Sequence, residues 1–299
     1  MPWDKLLQPC QRMADGQALD DWYTALLEHL AEPSAFELAV LGGRLAPTPG
    51  LAFLAGYQGA LRALWQSAPW TLGALCVTEN RSVRPADMQT RLSQLQLSGR
   101  KDFVTAGDAA QWLLVAAREE GDGLAPQVAV TVVANGAAGV QVEQLPALGF
   151  MPDVSHARLQ LDQAACERLP GDGWDDYVKP FRSIEDLHVL AAICAWLYGI
   201  GHESAWPVDL QLRLLGLLSG CAEVSRASAK APTTHVLLGG LFAQFAALGP
   251  ELDHALAAGD EHWAALWQRD KALMSIARSA RQARLQKALA QLAGQVFAS

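Results

Sequence analysis

One stretch constrains the fold more than any other. From Ala74 to Arg118, short apolar blocks such as Ala74–Cys76 and Leu113–Ala117 are bounded by glycine and charged residues. That is the signal of β-strands. Val104 reads the same way. The residues before this stretch, and those after about Gly171, carry helical spacing instead. Strands gathered between two helical blocks give an α+β layout and exclude an alternating βαβ chain. The boundaries read as 1–72 for the first helical block, 73–172 for the β-module and 173–299 for a C-terminal helical bundle.

Within the first block, Trp22, Leu26, Leu27 and Leu30 lie on one helix face. Pro33 and Ser34 break that helix. A second helix is expected over Ala35–Leu45, stopped by Pro47 and Pro49, and a third over Leu51–Trp65. The third has small-xxx-small spacings (Ala55 with Gly59, Gly56 with Ala60) that suit close helix contact. In the β-module, Val128, Val130 and Val132 alternate with other residues. Asn135-Gly136 predicts a hairpin turn, and Leu159 and Leu161 mark a last strand. The bundle is expected to contain helices over Ile184–Ile200, Pro207–Lys230 and Thr234–Leu248, the last ended by Gly249-Pro250. A final helical region lies within Asp260 to Phe297.

The chain has 299 residues, is 51% hydrophobic, and has only 18% charged residues. The surplus of apolar residues predicts helix–helix or subunit interfaces, hence a homo-oligomer. A formal charge of −8 argues against a nucleic-acid partner, because binding phosphates needs clustered Lys and Arg. The one basic cluster, Arg269 to Lys287, reads as a solvated helix face. Five scattered cysteines, with no CxxC, fit reduced thiols. Met-Pro-Trp-Asp-Lys carries no secretory signal, and no run of about 18 uncharged apolar residues predicts a membrane span. A cytoplasmic location is the expectation. His202-Glu203 lacks the second histidine of a zinc helix, and His254 and His262 fit surface or core positions better than metal ligation.

Two segments carry a resemblance: Cys76-Val77-Thr78-Glu79 and Gly99-Arg100-Lys101-Asp102-Phe103-Val104-Thr105. With Val128–Val133, Gly139-Val140, Ala157–Leu161 and Arg269-Asp270 in the same order, the chain resembles the acyl-CoA dehydrogenases, flavoproteins that desaturate acyl-CoA thioesters. The resemblance covers about two thirds of the chain. It implies FAD, an acyl-CoA substrate and a homo-oligomer. It places Thr78 and the backbone of Val77 at the pyrimidine side of the flavin, Phe103 against the ring where the family has Trp, and the Thr105 hydroxyl near the reactive nitrogen. Ser82 would stand in for the serine of a Gly-Ser-Asp loop that is otherwise missing here.

Other departures are the shorter N-terminal block, Arg278-Ser279-Ala280 in place of Glu-Gly-Thr, and no clear Arg-x-x-Phe-Gly…Gln segment, which in the family reaches a flavin diphosphate across the subunit boundary. α,β-Dehydrogenation needs a carboxylate over the substrate α-carbon. One family arrangement puts it a couple of helical turns before the Arg-Asp pair, which here is Glu261, eight residues before Arg269. Asp260 and Glu261 read equally well as acids at a helix N-terminus. Two functions follow: a flavin-dependent oxidoreductase acting on an acyl-CoA thioester, or a non-catalytic relative without flavin that serves as a binding or assembly partner, for instance of a full-length relative.

Overall fold

The computed structural model describes residues 2–119 and 127–296. Helices α1 (Trp3–Leu7), α2 (Leu19–Leu30), α3 (Ala35–Leu45) and α4 (Pro49–Leu64) form the first block. The sequence dictates their ends. Ser34 and Glu37 close a capping box on α3. The Thr48 hydroxyl caps α4, and Pro49 opens that helix rather than stopping its predecessor. Its fixed φ suits a first helical turn, where no amide partner is lost. α4 then packs without side-chain relief. A Cβ on Gly56 would lie 2.9 Å from the His188 carbonyl, and one on Gly59 would lie 2.5 Å from the Ala35 carbonyl.

Among the described residues eight strands follow: β1 (Gly73–Cys76), β2 (Arg91–Ser93), β3 (Gln96–Thr105), β4 (Trp112–Glu119), β5 (Gln127–Ala134), β6 (Val140–Gln144), β7 (His156–Ala165) and β8 (Glu167–Arg168). They form one sheet in the order β6-β7-β3-β2-β4-β5-β8, with β1 added parallel to β4. Asn135-Gly136 does turn β5 back toward β6, but the two strands do not pair with each other. β6 pairs with β7 and β5 with β4, so the expected hairpin is a crossing between sheet edges.

The bundle is α5 (Lys179–Glu203), α6 (Val208–Val224), α7 (Pro232–Ala257), α8 (Glu261–Asp270) and α9 (Arg278–Val296). α7 does not end at Gly249-Pro250. It runs on through Pro250, because Leu252 and Leu256 continue its buried stripe at 0% and 2% exposure. The last helical region divides into α8, a short 3-10 turn over Lys271–Ser275, and α9. Phe297, its expected end, lies outside the described residues. α5 and the turn before it (Gly173–Glu203) are long and apolar enough to cross a membrane by length and composition, but 89% of that apolar window is buried inside the protein. α5 is the core helix. α3 and α4 pack on it from one side and α6 from another. No disulfide forms among the described residues, where all five cysteines are free.

Candidate active site

The two motif segments meet in space. Lys101, completely buried, places Nζ 2.5 Å from Glu79 Oε1 and 3.3 Å from the Val77 carbonyl. The Asp102 amide donates to the Thr78 carbonyl at 2.8 Å. Burial works against the charge on Glu79, but Lys101 and the amides of Gln89 and Thr90 hold its carboxyl below the ordinary range. Where the sequence lacks the Gly-Ser-Asp loop, Glu79 and Ser82 close a tight turn. Asn80 and Arg81 both take positive φ (49° and 62°), and the Arg81 amide donates to Asp102. The Ser82 hydroxyl is used inside this turn, donating to Asp87 and accepting from the Arg84 amide.

Strict alternation along β3 would put Phe103 on the same face as buried Lys101. It does not hold, because β3 carries a bulge. Lys101 pairs with Leu159 and Val104 with Ala157, three residues on β3 against two on β7. The extra residue sends Val104 into the core and turns Phe103 outward, 46% exposed. Phe103 meets His156 of β7 edge-on at 6.3 Å, and His156 is the cross-strand partner of Thr105.

Phe103 and His156 form one wall of a cavity of about 440 Å³ between sheet and bundle. Phe53 from α4, Glu185 and Val189 from α5, and Phe242 from α7 complete the wall. Inside this apolar setting two neighbouring acids differ sharply. Asp186 is clamped by Arg281, at 2.8 Å, and by Arg284. Glu185 makes no hydrogen bond or ion pair among the described residues. Burial, with the Asp186 charge adding to it, pushes its carboxyl up to about 8. Burial raises the Asp186 carboxyl as well, but Arg281 and Arg284 oppose that, so the neighbours differ in their partners rather than in the direction of their shift.

Among the residues expected at a site, Phe103 lines the cavity and Thr105 lies beside it through its pairing with His156. Val77 and Thr78 flank the same motif core but are not part of this cavity's lining. Glu261 is exposed on the first turn of α8, where Asp260 accepts from the His262 amide as N-cap. The Arg-Asp pair has a structural task. Asp270, fully buried, accepts from the Met151 amide at 2.8 Å and from Arg269, and Arg269 reaches Asp153 at 3.3 Å. This ties the last helices to the β-module and, through Thr48 and Asp153, to α4. Nine residues from Asp270, at 100° each, put Glu261 on the opposite face of the helix from the buried Asp270. Sequence reasoning missed Glu185. An acid in an otherwise buried apolar helix was the available signal.

The structure is similar to several solved ones. The FAD complex of PigA aligns with TM-score 0.62 and 15% identity, over 90% of this chain and 88% of that one. Butyryl-CoA dehydrogenase from Megasphaera elsdenii aligns with TM-score 0.59 and 14% identity (85% and 80%). The fold is that of the acyl-CoA dehydrogenases. Glutaryl-CoA dehydrogenase from Mycobacterium smegmatis aligns with TM-score 0.58 and 16% identity (91% and 89%). No protein-family model and no curated protein matches the sequence.

A flavin fits the residues of the cavity in three respects. Phe103 and His156 offer flat faces, the walls are mainly apolar, and the raised Glu185 carboxyl beside them is a polar group unpaired among the described residues. Chemically, the arrangement can hold a flat conjugated ring beside an acid whose proton is held at neutral pH and released above it.

Proposed function

We propose that this protein is a flavin-dependent oxidoreductase that desaturates an acyl thioester, with Glu185 rather than Glu261 as the base. The carrying observation is the unpaired Glu185 carboxyl in the same cavity as the outward-turned Phe103. Similar folds named for butyryl-CoA and glutaryl-CoA support a thioester substrate. A bound flavin would accept the hydride that leaves the substrate β-carbon. Phe103 would hold one face of that ring, with the Thr105 hydroxyl, the Thr78 side chain and the Val77 backbone at its polar edge. The Glu185 carboxylate would take the α-proton. The apolar walls formed by Phe53, Val189 and Phe242 would exclude water and keep that carboxyl a strong base. Because the proton leaves Glu185 only near pH 8, turnover should rise with pH through that range.

The test is visible absorption after incubation with FAD, followed by anaerobic addition of a short acyl-CoA. We expect about one flavin per chain, bleached by the thioester in wild type and not in Glu185→Gln. A colourless protein sinks the enzyme reading. The second reading, a partner protein without flavin, draws on the tight Glu79–Ser82 turn, whose Asn80 and Arg81 replace the loop through which the family's backbone approaches the cofactor. For either reading, Leu237 on α7 and Leu289 on α9, 52% and 44% exposed, are where subunits of a homo-oligomer would meet.

A further inference from the structure

Two turns before Glu185, α5 borders a second cavity, of about 420 Å³. Lys179, Arg182, Lys230, Arg284 and Lys287 converge on it, and Asp175 is the one acid in its lining. In a chain of net charge −8 this is a marked local excess of cations. Some of the charge is committed: Lys179 to Asp175, Lys230 to Asp176 and Arg284 to Asp186. Arg182 Nη2 is buried with no hydrogen-bond partner, and Lys287 forms no ion pair among the described residues. A turn of π-helix over Gly173–Val178, capped by Asp172, sets Trp174 at the rim. The Arg182 guanidinium lies over that indole at 5.1 Å and Lys179 at 5.9 Å. Gathering cations that are not all paired costs the fold energy. An anion with several acceptor oxygens offsets that cost, and arginine is the side chain best shaped for phosphate.

The basic cavity and the cavity at Phe103 have a common neighbour. A groove between α7 and α9 shares Phe242 and Arg281 with the Phe103 cavity and His235 and Arg284 with the basic one. Along α5, Arg182 and Glu185 are three residues apart, about 4.5 Å at the helical rise, so both cavities border the same stretch of helix. The segment that would supply an arginine across a subunit boundary has no clear counterpart in this sequence, so the charge must come from elsewhere.

We propose that this chain binds the diphosphate of its flavin dinucleotide in cis, with Arg182 and Lys287 as the direct donors and Trp174 available to stack on the nucleotide base. The assignment rests on the flavin reading above, and a coenzyme A diphosphate offers the same chemistry. The experiment is calorimetric titration of the full chain with ADP, FMN, FAD and coenzyme A, repeated on Arg182→Gln and Lys287→Gln. Thermal melts confirm that the variants fold, and Lys287 is exposed, so its replacement leaves the packing intact. We expect ADP to bind and to displace FAD, FAD to bind at least tenfold tighter than FMN, and both variants to bring FAD to the FMN level while FMN binding is unchanged. Equal weakening of FMN and FAD, or failure of ADP to bind, overturns the site. Displacement of ADP by coenzyme A at equal affinity overturns the cofactor assignment in favour of the thioester. Should no flavin bind at all, ADP binding that is lost in Arg182→Gln still upholds the diphosphate site while the oxidoreductase reading falls.

Discussion

Replacing Glu185 by Gln should make the unliganded protein more stable at alkaline pH and leave it unchanged at acid pH. The carboxyl is raised from its ordinary 4.5 to about 8 by burial beside Asp186. A group whose proton is held more tightly in the folded state adds stability that is complete below the unfolded value and disappears as pH rises through the folded one. The window is therefore about pH 4.5 to 8. Each tenfold in proton affinity is worth about 1.4 kcal/mol, so the whole shift amounts to about 5 kcal/mol, trimmed toward 3 because the side chain borders an open cavity. For a chain of this size that is about 5 °C in melting temperature. The assay is a series of thermal melts of both proteins from pH 5 to pH 9 without ligand. Nearly coincident curves at pH 5 that separate steadily as pH rises and level off above about pH 8, with Gln the more stable, are expected. Asp186→Asn serves as the contrast: it strands Arg281 and Arg284 and destabilises across the range. Parallel curves for wild type and Glu185→Gln would refute the uncompensated-acid argument.

Lys101→Met leaves Glu79 buried at 4% exposure opposite no cation, and should cost about 3–5 kcal/mol by denaturant unfolding, with much of the loss restored when Glu79 is also made apolar. Pro250→Ala restores a missing amide donor inside α7 and should raise the melting temperature, by an amount equivalent to about 1–3 kcal/mol; a fall would mean that the helix is built around the proline. Phe103→Ala removes a ring that is 46% exposed, so the melt should hardly move while flavin affinity, read by fluorescence quenching, drops about tenfold.

Much of the fold was legible because local rules and burial agree. Ala35–Leu45 was readable from its caps and spacing, and the structure has the same limits. The small residues of Leu51–Trp65 did signal close packing, since Gly56 and Gly59 touch neighbouring backbone. Pairing was not legible. Val128–Ala134 and Val140–Gln144 are adjacent in sequence across a good turn, yet pair with different strands, because sheet order is settled by distant packing rather than by turn chemistry. Gly249-Pro250 misled for a similar reason: a proline penalty of about 3 kcal/mol is smaller than what Leu252 and Leu256 bury further along the helix. At the site, alternation alone would have put Phe103 in the core with Lys101, and only the motif resemblance pointed it outward. The spacing to Arg269 does not tell which face of α8 is buried, and Glu261 stands in the first turn of that helix, the position the sequence allowed equally.

The places where this chain breaks its own local rules are not scattered. β3 bulges between Lys101 and Val104 and presents Phe103. The chain enters α5 through a π-turn that presents Trp174. α5, buried and apolar for most of its length, carries an arginine with one buried nitrogen unpartnered at 182 and, at 185, an acid with no hydrogen bond or ion pair among the described residues. Each feature costs stability, and each has a commonplace alternative that a sequence under selection for folding alone would reach easily: a regular strand, an α-helical first turn, a leucine. They border two cavities that flank the same groove between α7 and α9. Their clustering argues for a ligand that is flat and apolar at one end and anionic at the other, because such a ligand would make use of the aromatic face, the raised acid and the excess of cations together.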